Sequence, residues 1–111
     1  MPFDQALASR IRRDTASRGA FVEKQMFGGI GFLLNGNLCV GVWKDSVVAR
    51  VGPTEYQAAL SEPHVREFDI TDRPMTGWVA VGPPGVERND QLADWIGRAT
   101  RFVRALPAQG E

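Results

Sequence analysis

The dipeptide Asn35-Gly36, inside the apolar run MFGGIGFLLNGNLCVGV at residues 26–42, is the feature that most constrains the fold of this chain. A two-residue type I′ turn needs a positive φ at both central residues, and Asn-Gly is a pair that adopts it readily. The sequence therefore predicts a β-hairpin with strands at 29–34 and 38–43. The same run contains five glycines, which raises the question of whether they bind a phosphate or shape the sheet.

The two common glycine-rich phosphate motifs both fail here. The dinucleotide-binding fingerprint G-x-G-x-x-G would need a glycine where the chain has Leu34. A Walker A loop could use the spacing of Gly31 and Gly36, but Asn37 and Leu38 follow in place of Lys and Ser or Thr. The next element is a predicted strand, so no helix N-terminus is available to receive an anion. The glycines are therefore predicted to shape the hairpin, by facing bulky side chains on the neighbouring strand.

The length of the hairpin turn decides which side chains share a face of the sheet. A two-residue turn places Gly31 opposite Val40 and leaves apolar residues on both faces. The second face would then be covered by more protein or remain as an apolar patch that marks a partner site. A three-residue turn instead pairs Phe32 with Val40 and Ile30 with Val42, and it concentrates the larger residues on one face. The sequence leaves both pairings open.

Hydrophobic periodicity along the chain predicts a mixed fold. Apolar residues at helical spacing predict a first helix over 3–17 and a last helix over 89–106, while the segment at 21–27 carries only a weak strand signal. The remaining predicted elements are strands at 29–34, 38–43 and 46–51, a short helix at 53–60, and strands at 67–70 and 77–81. We therefore expect an α+β fold, a two-layer sandwich with one antiparallel five-stranded sheet in the order α-β-β-β-α-β-β-α. The whole chain, 1–111, is predicted to be a single domain with a frayed tail at 107–111.

Composition and charge exclude several classes of protein. The chain has 13 basic and 13 acidic residues, a formal net charge of zero, which argues against direct nucleic-acid binding. It has one cysteine, so an internal disulfide framework is excluded. No apolar stretch approaches the ~18 residues of a membrane span, and the N-terminus lacks the pattern of a signal peptide. A cytoplasmic location and no membrane association are expected.

Three short motifs carry a resemblance to a known family: Met26-Phe27-Gly28-Gly29, the NGN hairpin at 35–37 and DWIGRA at 94–99. With these motifs the chain resembles the TfoX N-terminal domain family from its first helix to its last. The resemblance implies a sandwich of helices and strands in this order, and it supplies no catalytic motif. The best-known members, the TfoX and Sxy competence regulators, act in bacterial transcriptional control through protein contacts and carry a second, C-terminal domain. This chain is expected to correspond to the N-terminal domain only.

Residues that could carry catalysis are few and scattered. Cys39 could act as a nucleophile with His64 as its base, but it lies mid-strand among apolar residues, where cysteine packs as a small hydrophobe. As the only histidine, His64 cannot build a typical zinc site. Asp69 and Asp72 could pair as acid and base, but they flank a predicted loop, where aspartate commonly forms turns. We therefore expect no enzymatic activity, no cofactor and no metal.

Two sets of residues are candidates for binding at the surface. Phe32, Leu34 and Trp43 are candidates for a partner or dimer interface, since aromatic residues are enriched in interface cores. Six arginines would form a basic patch if the first and last helices lie side by side: Arg10, Arg12, Arg13, Arg98, Arg101 and Arg104. The neutral net charge favours the simpler interpretation, a solvated face relieved by nearby acids.

The sequence thus predicts a small, non-enzymatic protein-interaction module with an unidentified protein partner and with homodimerisation as one form of association. The family resemblance implies a transcription-related or competence-related regulator. The alternative is a small-ligand-binding protein or an enzyme with a pocket near the loop at 71–75.

Overall fold

The computed structural model of the chain describes residues 3–26, 28–68 and 75–107. In chain order its elements are α1 (Gln5–Thr15), β1 (Phe21–Met26), β2 (Gly29–Leu34), β3 (Asn37–Trp43), β4 (Ser46–Arg50), α2 (Tyr56–Leu60), β5 (Val65–Glu67), β6 (Trp78–Val81), a 3₁₀ turn (Pro83–Gly85) and α3 (Asn89–Arg104). The described strands form one antiparallel sheet in the spatial order β1-β2-β3-β4-β6-β5. No described helix is long and apolar enough to cross a membrane.

The prediction of an α+β fold with one antiparallel sheet is confirmed, but the predicted number of strands is wrong. The sheet has six strands within the described residues, because the weak signal at 21–27 corresponds to an edge strand, β1. Most of β1 is exposed, so its sequence lacks the apolar alternation of a half-buried strand. The strand predicted at 67–70 lies at Val65–Glu67 instead, and residues 69–70 fall outside the described residues.

The helices pack on one face of this sheet. The side chain of Asp4 caps α1 by accepting a hydrogen bond from the Leu7 amide, at 3.0 Å. α1 contacts α3 and β3, α3 contacts β2, β3 and β4, and α2 contacts β5 and β6. The buried apolar residues of the three described helices belong to one core cluster, in which Ile11 of α1 and Ile96 of α3 are fully buried.

The turn of the β2–β3 hairpin is the predicted two-residue turn. Asn35 and Gly36 have φ values of 55° and 79°, as a type I′ turn requires. The residues on either side of them, Leu34 and Asn37, pair directly across the two strands. The Asn37 side chain is buried and donates a hydrogen bond to the carbonyl oxygen of Pro107, at 3.0 Å.

A β-bulge one step below the turn changes the pairing for the rest of the hairpin. Leu33 pairs with Leu38, but Phe32 pairs with Val40, so Cys39 is the extra residue on β3. The inner half of the hairpin therefore has the pairing expected for a three-residue turn. The structure combines the two alternatives that the sequence leaves open.

The bulge determines the composition of the two faces. Cys39 and Val40 are consecutive, yet both are buried in the core cluster that contains the helices. The Sγ atom of Cys39 lies 3.8 Å from Oγ1 of Thr100 on α3. A second, smaller cluster lies on the opposite face of the sheet and contains Val48, Phe68 and Ala80, with Trp43 and Trp78 packed against it. None of these five residues belongs to a helix, and we call this side of the sheet the helix-free face.

Candidate binding groove on the helix-free face

One row of directly paired residues crosses the helix-free face from edge to edge. Directly opposed residues of antiparallel strands point to the same face of a sheet. In spatial order the row consists of Lys24, Gly31, Gly41, Val48, Ala80 and Arg66. Its four central side chains are short or absent, so the row forms a low floor with one cation at each end.

Taller side chains stand on both sides of this floor. The strand registers place Met26 and Trp43 along one side and Leu38 and Trp78 along the other. Phe68, which follows β5, packs with its ring centroid 5.6 Å from that of Trp43 at an interplanar angle of 79°. The result is a groove with a cavity of about 250 Å³, which we call the apolar groove.

Phe68 divides the floor into a covered part and an open part. Its ring packs over Val48 and Ala80, which are only 5% and 1% exposed. Met75 donates its amide hydrogen to the Phe68 carbonyl at 3.1 Å and completes the wall at this end. The open part of the groove therefore lies over the glycines of β2 and β3.

Glycine is needed at Gly31 and at Gly41 for different reasons. A Cβ on Gly31 would lie 2.5 Å from Cδ1 of Leu38 and 3.2 Å from Cε of Met26, so it would occupy the groove itself. A Cβ on Gly41 would lie 2.6 Å from the carbonyl oxygen of Ile30, which belongs to the neighbouring backbone. Gly31 keeps the groove open, and Gly41 permits the close approach of two strands. These glycines shape the sheet, as the sequence predicts, but between β2 and β3 they pair with each other and not with bulky residues.

Three cations lie next to strand positions or aromatic rings that border the open part of the groove, and Arg50 also lies 5.7 Å from the centroid of the Phe102 ring on α3. Lys24 lies at the β1 end of the floor, the Lys44 ammonium lies 4.7 Å from the centroid of the Trp43 ring, and the Arg50 guanidinium lies 5.0 Å from that of Trp78. A cation at such a distance from an aromatic ring is attracted by its π-face. Within the described residues, none of the three cations forms an ion pair with a carboxylate.

The carboxylates of the two edge strands point away from this face. Glu23 of β1 pairs with Arg12 on α1 at 2.5 Å, and the hydrogen bond from Arg12 holds the pKa of Glu23 below its usual range. Glu67 of β5 is opposite Val79, a residue of the core. Asp45 lies in the β3–β4 turn and accepts a bond from the Ser46 hydroxyl at 3.4 Å. The described part of the groove is therefore apolar inside and positively charged around its rim.

The groove can bind apolar groups but carries no described group for acid–base chemistry. Its lining consists of glycine, aliphatic, methionine and aromatic residues. The polar side-chain groups among them are the indole N–H groups of Trp43 and Trp78, which can donate a hydrogen bond but do not titrate.

A comparison with protein families identifies the chain. The model of the TfoX N-terminal domain matches residues 14–103. The chain belongs to the TfoX N-terminal domain family. The match includes all six strands, and with them the floor and walls of the apolar groove. No curated protein and no solved structure was found to match the chain.

Of the candidate catalytic residues of this TfoX N-terminal domain, the structure describes Cys39 and His64, and they form no hydrogen bond with each other. Cys39 is fully buried against Thr100, and burial raises the pKa of its thiol to about 11. His64 is exposed before β5, and its carbonyl oxygen accepts a hydrogen bond from Gly82 at 2.8 Å. Asp69 and Asp72 lie outside the described residues. Among the residues that the structure describes, no cluster of side chains could hold a metal ion.

The three residues predicted for an interface lie on different sides of the sheet. Phe32 and Leu34 are 1% and 6% exposed and belong to the core beneath the helices of this TfoX N-terminal domain. They cannot contact a partner without unpacking that core. Trp43 is half-buried on the helix-free face and forms part of the groove wall.

The arginines of the predicted basic patch lie on the helix layer, where α1 and α3 are in contact. Most of them are bonded to neighbouring groups. Arg12 donates to the Glu23 carboxylate and Arg98 to those of Glu62 and Asp94. Arg10 donates to the Asn89 side chain and the backbone carbonyl of Glu87, and Arg104 donates to the backbone carbonyl of Arg18. Arg13 and Arg101 are exposed. Within the described residues only Arg12 and Arg98 of the six are paired with carboxylates, so the charge of this surface is compensated in part.

Proposed function

We propose that this TfoX N-terminal domain is a non-enzymatic protein-interaction module that binds a partner protein at the helix-free face. The observation that carries the proposal is the apolar groove, a cavity of about 250 Å³ on a sheet face opposite the helices. Concave sites lined mainly by apolar and aromatic side chains commonly bind another molecule. Family membership supports a role in transcriptional or competence-related regulation, exerted through protein contact.

The chemistry of the groove supports a binding role over a catalytic one. Its described lining has no acid, base or nucleophile, and the only thiol of the chain lies on the other side of the sheet. A raised thiol pKa also keeps Cys39 in its unreactive, protonated form near neutral pH. General acid–base catalysis would need a titrating group within hydrogen-bond reach of a substrate in the cavity.

Site-specific photo-crosslinking in cells tests the proposal. A photo-reactive amino acid is placed at Leu38, in the groove wall, and as a control at Arg101, exposed on α3. We expect a protein adduct of defined mass from position 38 and none of that mass from position 101. The adduct should disappear when Gly31→Val fills the groove. Equal adducts from both positions, or none from either, would refute binding at this face.

A second candidate function is the binding of a small apolar ligand in the same cavity. Met75 lies in the cavity wall, next to the loop at 71–75 where the sequence suggests a pocket, although residues 71–74 are outside the described residues. The cavity is larger than the ~150 Å³ that suffices to bind benzene in an apolar protein interior. Thermal unfolding with indole distinguishes this function: it predicts a saturable rise in Tm that Gly31→Val abolishes.

A further inference from the structure

We propose that the apolar groove binds an amphipathic α-helix of the partner, with a contact segment of about ten residues and an acidic polar face. This inference rests on the proposed function and specifies the chemistry of the partner. It follows from the hydrogen-bonding capacity, the size and the charge of the groove.

The lining of the groove selects a helix over an extended chain. Buried backbone N–H and C=O groups need hydrogen-bond partners, and a strand bound face-on in an apolar groove would lose water without gaining them. The described lining offers only two indole N–H groups, which are donors, and no acceptor on a side chain other than the weak methionine sulfurs. An α-helix satisfies its own backbone groups and presents only side chains to the groove.

The volume of the cavity sets the number of anchoring side chains. At about 250 Å³ it exceeds the ~150 Å³ that holds one benzene ring, so it can take one aromatic ring and a smaller aliphatic side chain beside it. On a helix, side chains at positions i and i+4 lie on the same face one turn apart. Met26 and Met75, on opposite sides of the cavity, are flexible and can adapt to the shape of such a pair.

The positions of the cations set the charge and length of the bound segment. Lys24, Lys44 and Arg50 are on β1, the β3–β4 turn and β4. Strands β1 and β4 are separated by three strand spacings, about 14 Å, which a helix covers in about ten residues. A small anionic amphiphile has one charged group and could reach only one of these cations. Several carboxylates along one face of a helix could reach all three.

The same cations argue against a second copy of the chain as the occupant. A two-fold symmetric dimer uses the same patch on both subunits. Face-to-face contact would bring two sets of these three cations into one interface, and within the described residues none of the three is paired with a carboxylate. Like charges opposed across an interface are strongly unfavourable. A different protein, carrying the opposite charge, meets the requirement.

Binding of designed peptides tests the inference. Two fluorescein-labelled peptides of about sixteen residues, long enough to form helix, carry the same Leu and Phe stripe at i and i+4. One has glutamate along its polar face and the other has lysine. We expect the glutamate peptide to bind at least about ten-fold more tightly in fluorescence anisotropy at low salt, and to weaken as salt screens the charges.

Charge-reversal variants locate the binding. Lys24→Glu combined with Lys44→Glu should reverse the preference between the two peptides. The matched control, Arg13→Glu with Arg101→Glu, makes the same change in net charge on the helix layer and should leave the preference unchanged. Gly31→Val, which fills the groove, should abolish binding of both peptides. Leu38→Ala, which removes part of one wall, should weaken the binding of both peptides. It replaces Gly31→Val in the test if that variant does not fold.

Every other result of the peptide experiments contradicts the inference. Combined with the crosslinking result, it also shows whether the proposed function still holds. Equal or preferential binding of the lysine peptide would refute the acidic partner, whereas crosslinking at position 38 would still support protein binding. Failure of both peptides with crosslinking intact would mean that the partner contact is not a helix. Failure of both peptides and of crosslinking, with a saturable indole shift, would refute both proposals in favour of a small ligand.

Discussion

Alanine substitutions at two glycines of the groove floor should differ in their effects on stability. The new methyl group in Gly31→Ala meets the ends of two flexible side chains, those of Leu38 and Met26, which can turn toward the open groove. The methyl group in Gly41→Ala meets the carbonyl oxygen of Ile30 at 2.6 Å and the Cα of Gly31 at 3.4 Å. Because these atoms belong to the paired backbone of β2, two central strands would have to separate.

The expected magnitudes follow from these contacts. In Gly31→Ala, displaced rotamers cost about 0.5–1.5 kcal/mol, and the reduced freedom of the unfolded chain returns about 0.4–1 kcal/mol. The free energy of unfolding should therefore stay within about 1 kcal/mol of wild type. In Gly41→Ala, overpacking against the backbone costs about 1–3 kcal/mol. The unfolded chain returns the same amount in both variants, so they should differ by about 1 kcal/mol, which corresponds to about 4 °C in Tm for a chain of this size.

Urea unfolding followed by tryptophan fluorescence, together with thermal unfolding by circular dichroism, measures both variants. Gly97→Ala on α3 is the matched control, because its Cβ would be no closer than 3.4 Å to Arg18 and alanine favours the helix; it should be neutral or stabilising. If Gly31→Ala were as destabilising as Gly41→Ala, then Leu38 and Met26 would have no room to move. The groove would then be closed, and the proposed binding site would lose its physical basis.

Three further predictions concern the core and the first helix. Burial raises the pKa of the Cys39 thiol from 9.0 to about 11, so above pH 9 the folded state keeps a proton that the unfolded chain loses. The free energy of unfolding, measured with urea, should therefore fall by about 2 kcal/mol between pH 9 and 11, and it should fall less in Cys39→Ala. The buried Tyr56 hydroxyl has no hydrogen-bond partner among the described residues, so Tyr56→Phe should leave the Tm unchanged or raise it; a lower Tm would indicate a bond, with Glu67 the nearest candidate. Asp4→Ala removes the cap of α1 and should cost about 1 kcal/mol in thermal unfolding, whereas Asp4→Asn should retain most of the stability.

Features fixed by local chemistry could be predicted from the sequence. The turn at Asn35-Gly36 depends on the φ preferences of two adjacent residues, and the structure has it as predicted. The last helix has a continuous apolar stripe, and Trp95, which lies on that stripe, is in the core. In both cases the decisive interactions lie within a few residues of the chain.

The β-bulge and the edge strand depend on the rest of the fold and could not be predicted this way. The residues near Cys39 give no local sign of a bulge. The bulge forms where it allows Val40 and Val42 to pack beneath the helices. Strand β1 is exposed along most of its length and is defined by pairing with β2. Its existence therefore depends on the hairpin beside it more than on its own sequence.

For the same reason, the candidate site could be predicted from the sequence only in part. Trp43 is identified from the sequence, but the floor joins Lys24 on the first strand to Arg66 and Ala80 far along the chain. Their alignment depends on the registers of five successive strand pairs, including the shift at Cys39. An error of one residue in any register moves a side chain to the opposite face.

Because β3 contains one extra residue, the tip of the hairpin can change its strand register. A three-residue loop without a bulge would use the same number of residues and leave every pair from Phe32 inward unchanged, while exchanging Leu38 for Cys39 on the helix-free face. A substitution that disfavours the tight turn, such as Gly36→Val, would then convert the tip without unfolding the domain. Maleimide labelling at neutral pH would detect the newly accessible thiol of Cys39. A variant that is fully folded but does not react would show that the tip keeps its original register.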